Sequence, residues 1–316
     1  MLSAIVLAAG KGTRMHSDMA KCMHKVMDKP MIQHIYDTVS HLGGENFVLV
    51  VGHAREQIED WFGDKASYAI QEPQLGSGHA VMQATQLKDV KGKTLIISGD
   101  CPLIQEDTYR TLLAKADEAP LVLMTAVLED ARSYGRIVRD EEGNVLRIVE
   151  RKDANEEEVK IREINAGIYC VDNELLWKYL PEIGNNNAQH EYYITDLVEI
   201  FRRKGWSVTG VIAEDKEEVQ GVNDCLELSR ANRWLNRTLT EKWMKAGVQF
   251  ADPENTYIGP FVTIGHDTEF YPNVYAYGMT RIGNHVTLMP GAFLRNVTVK
   301  DGAVVSAGMY EDCEIG

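Results

Sequence analysis

Near its start the chain reads Ala8-Ala9-Gly10-Lys11-Gly12-Thr13-Arg14-Met15, with Lys21 six residues beyond. Small side chains let backbone N–H groups come close to a ligand, and glycine tolerates φ > 0 where a turn needs it. Lys11, Arg14 and Lys21 put three cations on a loop with little bulk, a combination suited to a polyphosphate. Two oxygen donors stand far off in sequence: Asp100, in Gly99-Asp100-Cys101-Pro102-Leu103, and Asn223, in Gln220-Gly221-Val222-Asn223-Asp224. An aspartate after a strand commonly caps the next turn or helix. Facing a triphosphate, it would be a Mg²⁺ ligand, since Mg²⁺ takes one or two carboxylates with phosphate and water oxygens. Asn223 has the same two readings, as an N-cap or as a second hard oxygen.

Such groups need a scaffold that brings them to one edge. Leu2–Leu7 reads as a short buried strand leading straight into the glycine loop. Residues 47–51, 68–70, 94–98 and 121–127 are further apolar strands. Met31, Ile32, Ile35, Val39 and Leu42 recur at helical spacing before Gly43-Gly44, and another helix surrounds Glu56 to Phe62. Strand and helix alternating through short loops predict a doubly wound, Rossmann-like parallel sheet with helices on both faces. The loops at 8–21, 71–79 and 98–103 would then share the carboxyl edge, where open α/β sheets bind ligands. Neither common phosphate motif is present: there is no G-x-x-x-x-G-K-[ST], and Met15 stands where the dinucleotide fingerprint has its third glycine.

Residues 129–163 are more polar and read as an excursion with a hairpin turning at Glu142-Gly143-Asn144. Helices are predicted at 173–180 and 191–203. A long amphipathic helix at about 224–246 should bury Leu226, Leu228, Trp234, Leu235, Leu239, Trp243 and Met244. From Val248 the pattern changes. Ile258, Ile264, Phe270, Ala276, Ile282, Leu288 and Leu294 recur every six residues, the signature of a parallel β-helix with three hexads per coil. The register slips after Leu294 and resumes at Val299 and Val305. The chain therefore divides into a nucleotide-binding domain (1–223), a linking helix (224–247) and a short hexapeptide-repeat β-helix (248–316).

The chain has 316 residues and a net charge of −14, which argues against nucleic acid as a partner. A cation-lined cleft in an acidic protein still takes anionic substrates. Five scattered cysteines, never as C-x-x-C, suit a reducing cytoplasm, with neither a disulfide framework nor a cysteine zinc site. No apolar run is long enough for a membrane span, and no signal peptide precedes the glycine loop.

The string LAAGKGTRM, with Lys21 and then Lys29-Pro30-Met31, resembles the signature of the sugar-nucleotide pyrophosphorylases. Further blocks narrow the resemblance: QEPQLGSGHA (71–80), SGDCPL (98–103), YGRIV (134–138), IVERKDA (148–154), INAGI (164–168), NNNAQHEYYITD (185–196) and QGVND (220–224). In this order they look like the uridylyltransferase half of the bifunctional bacterial enzymes that make UDP-N-acetylglucosamine. Departures from that pattern are Ala20 for proline, Ser77 for threonine, Ser98 for tyrosine and Ala166 for threonine. The resemblance implies a left-handed β-helix and UTP plus N-acetylglucosamine 1-phosphate as substrates, with Mg²⁺. It places Leu7, Ala8, Ala9 and Gly10 at the uridine, and Gly12 and Arg14 at the β- and γ-phosphates. Lys21 reaches the α-phosphate and the incoming phosphate, and Gln71, Gly76 and Ser77 read uracil. Asp100 and Asn223 hold the metal, and Gly135, Glu150 and Asn165, with Asn223 beside them, bind the sugar phosphate. Arg14 and Lys21 are the catalytic cations. His24, His79 and His190 are read as structural.

The same resemblance implies a homotrimer through the β-helix. It places acetyl transfer in later coils than these, so acetylation of glucosamine 1-phosphate is not expected. The alternatives are a pyrophosphorylase for another sugar, such as glucose 1-phosphate, a non-catalytic regulatory subunit of this fold, and a β-helix that is itself an acetyltransferase.

Overall fold

The computed structural model describes all residues from Met1 to Gly316. They form two compact units: Met1–His24 with Pro30–Asp224, and Lys25–Lys29 with Cys225–Gly316. No helix is long and apolar enough to cross a membrane.

The first unit is built on one sheet. Its strands are β1 (Leu2–Leu7), β2 (Gly44–Val51), β3 (Ser67–Ile70), β4 (Lys93–Ser98), β5 (Leu121–Val127), β8 (Glu163–Asp172) and β9 (Val208–Ile212). A hairpin of β6 (Arg136–Arg139) and β7 (Val145–Val149) joins at β8, and the main order is β9-β5-β8-β4-β1-β2-β3. Alternate side chains of β1 enter opposite cores, Ala4 and Val6 on one face and Ile5 on the other. On the first face lie α1 (Met31–His41), α2 (Arg55–Phe62) and α4 (Glu106–Lys115), through Ile32, Ile35, Ile58, Phe62 and Leu112. On the second lie α3 (Ser77–Gln83), α5 (Asn173–Tyr179) and α6 (Asp196–Arg203), through Val81, Leu176, Val198 and Phe201. Each large side chain so buried contributes about 1.5–3 kcal/mol.

Two local expectations change. The sheet is mixed, because β8 lies antiparallel to both β4 and β5. The chain returns to β8 from the β6–β7 excursion, with no crossover helix to turn it parallel. Helix α6 starts at Asp196, five residues later than 191, since the preceding residues are committed to a loop: Tyr192 N–H donates to Leu75 O (2.8 Å), and Tyr192 O accepts from Gly78 N–H (2.7 Å).

The second unit combines α7 (Cys225–Lys245) with a left-handed parallel β-helix of three four-stranded sheets. The hexad residues point inward, with Ile258, Phe270, Ala276, Leu288 and Leu294 at 0 % exposure and only Ile264 half-buried. Phe270 stacks on Leu288 and Ala276 on Leu294, whereas Ile282 stacks on Val299 and Leu288 on Val305. The slip after Leu294 is thus a corner one residue shorter, with Asn296 at φ 54°. Along α7 the buried stripe differs from the apolar count. Ala231, Trp234 and Leu235 are buried with Asn236 and Thr240, while Leu226 (61 %) and Met244 (38 %) are exposed. Asn236 earns its place by hydrogen bonding: its Nδ2 donates to Thr256 O (2.9 Å). Residues 25–29 are held within this unit too, Met27 N–H donating to Asn232 Oδ1 (2.6 Å) and Gly278 N–H to Asp28 Oδ2 (2.9 Å).

Candidate active site

β1 delivers the glycine loop to the carboxyl edge of the sheet. Leu7 O accepts from Gly99 N–H (3.0 Å), and Ala8 N–H donates to Val50 O (2.8 Å). Gln74 Nε2 donates to Ala9 O (2.6 Å), so the loops after β1, β2, β3 and β4 are tied together. Gly12 sits at φ 59°, and a Cβ there would come within 2.7 Å of Lys21 Cβ. Its smallness is what lets the Lys21 stem pass. A Cβ on Gly10 would meet no atom within 4 Å, so that position faces open space into which a ligand can come. Beside it, Lys11 and Gln71 line a hollow of about 530 Å³.

The four polar residues of greatest chemical interest converge. Lys21 Nζ pairs with Asp100 Oδ2 and donates to Asn223 Oδ1 (2.7 Å), and Arg14 Nη2 donates to that same Oδ1 (2.8 Å). A single ammonium therefore already bridges two oxygens that lie far apart in sequence. Both are hard donors of the kind a divalent cation prefers, so the pair fits such an ion. Asp100 caps no helix: α4 begins only at Glu106 with Gln105 at its N-cap position, and Glu218 ties that end down, accepting from Gln105 N–H (3.0 Å) and Thr108 Oγ1 (2.7 Å). Backbone bonds fix the Asn223 segment, with Val222 N–H on Asp100 O (2.8 Å) and Gly221 N–H on Tyr134 Oη (3.1 Å).

Gly135, Glu150 and Asn165 form a second group. Gly135 O accepts from Asn165 N–H (2.9 Å), and a Cβ on Gly135 would stand 3.2 Å from Glu150 Oε1. Asn165 donates from Nδ2 to Tyr169 Oη (2.6 Å) and accepts from Gly167 N–H (3.1 Å). The register of β8 shifts between Asn165 and Tyr169, a bulge of the kind that re-aims a side chain. Gly167, at φ 74° in that bulge, abuts Ser98 and so links this group to the end of β4. Burial pushes the Glu150 carboxyl up, opposed by the hydrogen bond from Thr195 Oγ1 and raised further by Asp153 and Asp196.

Gln71 is buried and donates from Nε2 to Gly76 O (2.9 Å). Gly76 lies at φ 107° with Tyr192 O 2.5 Å from where its Cβ would be. Ser77 Oγ accepts from Ile194 N–H (3.0 Å), so its hydroxyl anchors the 191–195 loop. His79 sits between Gln71 and Gln83, 3.2 Å from each amide nitrogen. Tyr134, Thr195, Tyr169 and Gln74 support the site but were not singled out in the sequence. Tyr134, Thr195 and Gln74 stand inside the blocks YGRIV, NNNAQHEYYITD and QEPQLGSGHA, and Tyr169 directly follows INAGI, and that is their only signal. Burial pushes the thiols of Cys22 and Cys170 up to about 12 and that of Cys101 well above its usual value, which removes them as nucleophiles.

A Rossmann-like sheet with a glycine loop, two converging cations and a hard-oxygen pair at its carboxyl edge defines a nucleotidyltransferase. The profile of the family described as "Nucleotidyl transferase" matches residues 3–247. Bifunctional protein GlmU of an Exiguobacterium species is 44 % identical over 316 residues, covering 99 % of this chain and 70 % of that one. The GlmU protein of Brevibacillus brevis is 45 % identical over 317 residues, covering 99 % and 69 %. The chain belongs to the nucleotidyl transferase family, in its GlmU branch. A solved Bacillus anthracis structure named for glucose-1-phosphate thymidylyltransferase superposes with a TM-score of 0.60 at 19 % identity, over 73 % of this chain and 94 % of that one, a likeness of fold.

Proposed function

We propose that this chain is the pyrophosphorylase that joins UTP to N-acetylglucosamine 1-phosphate, giving UDP-N-acetylglucosamine and pyrophosphate for cell-wall precursor synthesis in the cytoplasm. The observation that carries the reading is the convergence of Arg14, Lys21, Asp100 and Asn223 beside a glycine loop, in a chain similar to GlmU over its whole length.

In the reaction a phosphate oxygen of the sugar phosphate bonds to the α-phosphorus of UTP, and the bond from that phosphorus to the bridging oxygen breaks. The nucleophile is already anionic, so no general base is needed. Catalysis rests on positioning and on neutralising charge. Leu7, Ala8, Ala9 and Gly10 approach the uridine through their backbones, and Gly12 meets the phosphates. Arg14 neutralises the departing pyrophosphate, and Lys21 moves from Asp100 and Asn223 to the α-phosphate and the incoming phosphate. Gln71, Gly76 and Ser77 frame uracil, with the Gln71 carbonyl accepting from the base. Gly135, Glu150 and Asn165 hold the N-acetylglucosamine moiety. Asp100 and Asn223 would hold Mg²⁺, which when bound supplies further positive charge to the phosphate oxygens. A regulatory subunit would have no need of this constellation.

Pyrophosphate release measured over a panel of nucleoside triphosphates and sugar 1-phosphates tests the reading. UTP with N-acetylglucosamine 1-phosphate is expected to give the highest kcat/KM. A higher value with glucose 1-phosphate would establish that sugar instead, and no turnover with any pair would establish a silent subunit. We also propose association into a homotrimer through the β-helix, which carries the exposed apolar side chains Met279, Val304 and Met309 at 59 %, 65 % and 75 % exposure. Light scattering at micromolar concentration should give three times the chain mass, and a monomer would overturn this.

A further inference from the structure

One corner of the β-helix gathers three side chains for which the nucleotidyl transfer has no use. Asp267 and His285 occupy the same corner on consecutive coils, at φ 53° and 55°, and His266 precedes Asp267. His266 Nδ1 lies 2.7 Å from Asp267 Oδ2, and His285 Nδ1 lies 3.7 Å from that same oxygen. The two imidazoles meet edge to face with centroids 4.9 Å apart, and one donor atom from each of the three residues falls within 4.8 Å of the others. The backbone beneath is rigid: His285 N–H donates to His266 O (3.0 Å), and Gly302 N–H to Asn284 O (2.8 Å).

The corner itself does not demand these residue types. Asn273 and Gly302 turn equivalent corners at φ 61° and 73°. The rings are not core side chains either, since they are 63 % and 62 % exposed. What two imidazoles and a carboxylate share is the ability to donate lone pairs to one point. Their chemistry also selects the ion. Imidazole nitrogen suits Zn²⁺, Ni²⁺ or Co²⁺, while Mg²⁺ prefers an all-oxygen shell. Metal–ligand bonds of ~2.0–2.1 Å put tetrahedral donors roughly 3.3–3.5 Å apart. The widest separation, within 4.8 Å, has to close by roughly 1.3–1.5 Å, and the His266–Asp267 hydrogen bond at 2.7 Å has to open, which exposed side chains on a fixed corner achieve by rotamer adjustment. Asp301, whose carboxylate accepts from Asn284 N–H (2.7 Å) one coil further on, adds a second negative charge beside the site.

We propose that His266, Asp267 and His285 form a surface site for a first-row transition-metal dication of the Zn²⁺ class, with the remaining coordination positions left to water.

The test is a Zn²⁺ titration of the full chain by calorimetry, run beside H266A, H285N and D267N and a C225S/C313S double variant that removes the exposed thiols. Asparagine at 285 keeps the left-handed corner, as Asn273 and Asn296 do, so H285N should fold normally. With Mg²⁺ in excess to occupy Asp100 and Asn223, the expected result is one saturable Zn²⁺ equivalent, weakened about tenfold or more in each histidine variant and unchanged in the cysteine variant, because even outer-shell changes cost ~10–100-fold. Zn²⁺ should raise the melting temperature of the wild-type chain and not that of H266A. Binding that survives both histidine substitutions, binding lost only in the cysteine variant, or no saturable equivalent would each overturn the proposal.

Discussion

Lys21 and Asp100 are partners here, and the proposed reaction requires them to part. If Asp100 serves as an anchoring carboxylate, Asp100→Ala should lower turnover by about two to four decades, with Asn223→Ala costing less because it is neutral. An Asp100→Ala protein within threefold of wild type at saturating Mg²⁺ would remove it from the site. Lys21→Ala should depress kcat more than it raises the KM for UTP, since the charge counts most as the transition state forms. A pure KM effect would make Lys21 a binding residue only. A different residue gives a pH signature. The Asp196 carboxyl is pushed up to about 6, first by burial and then by Glu199 and Asp153. The unfolded chain loses that proton near the usual value of 3.8, so between there and about 6 the folded state binds more protons. Stability therefore falls as pH rises through that window and is flat above it. Asp196→Asn should gain on the order of 1 kcal/mol at pH 8, after allowing for solvent screening, and almost nothing at pH 4. Urea unfolding at the two pH values checks this, and an equal effect at both would refute it.

Among the elements, the loop after β3 is the most constrained. Gly76→Ala would place a methyl against Tyr192 O in a backbone conformation that alanine resists, so a loss of about 1–3 kcal/mol is expected. The KM for UTP should rise with it, read by a thermal melt and by kinetics on the same sample. Legibility in sequence followed the range of the forces involved. Period and spacing carried β1, α1, the sheet with helices on both faces and the inward hexads, because each is a local pattern imposed by burial on one face. The antiparallel insertion of β8 left no local mark, since it depends on where the excursion through β6 and β7 returns. The tie at the start of α4 is equally hidden, because Glu218 reaches Gln105 from more than a hundred residues away. Apolar counting along α7 chose Leu226 and Met244 and passed over Asn236, whose burial is justified by hydrogen bonds that no periodicity encodes. At the site, residue types and motifs pointed to Lys21, Asp100 and Asn223. That one ammonium joins the latter two is a fact of tertiary structure alone.

At the scale of the molecule, the backbone passes between the two units at three points, before Lys25, after Lys29 and before Cys225. A chain ending at Asp224 would leave residues 25–29 without Asn232 and Gly278 as partners. Such a chain should melt lower than the full one and be nicked by trypsin between Lys25 and Lys29. An identical melt with that segment intact would show the contacts to be dispensable. The same short segment has a consequence in time. Asp28 is made 250 residues before the glycine whose N–H it binds. At ~5–20 residues per second the ribosome needs roughly 12–50 s to cover that interval. Throughout it Asp28 waits for a partner not yet synthesised, so a newborn chain completes its second unit only by collecting a piece made some 250 residues earlier.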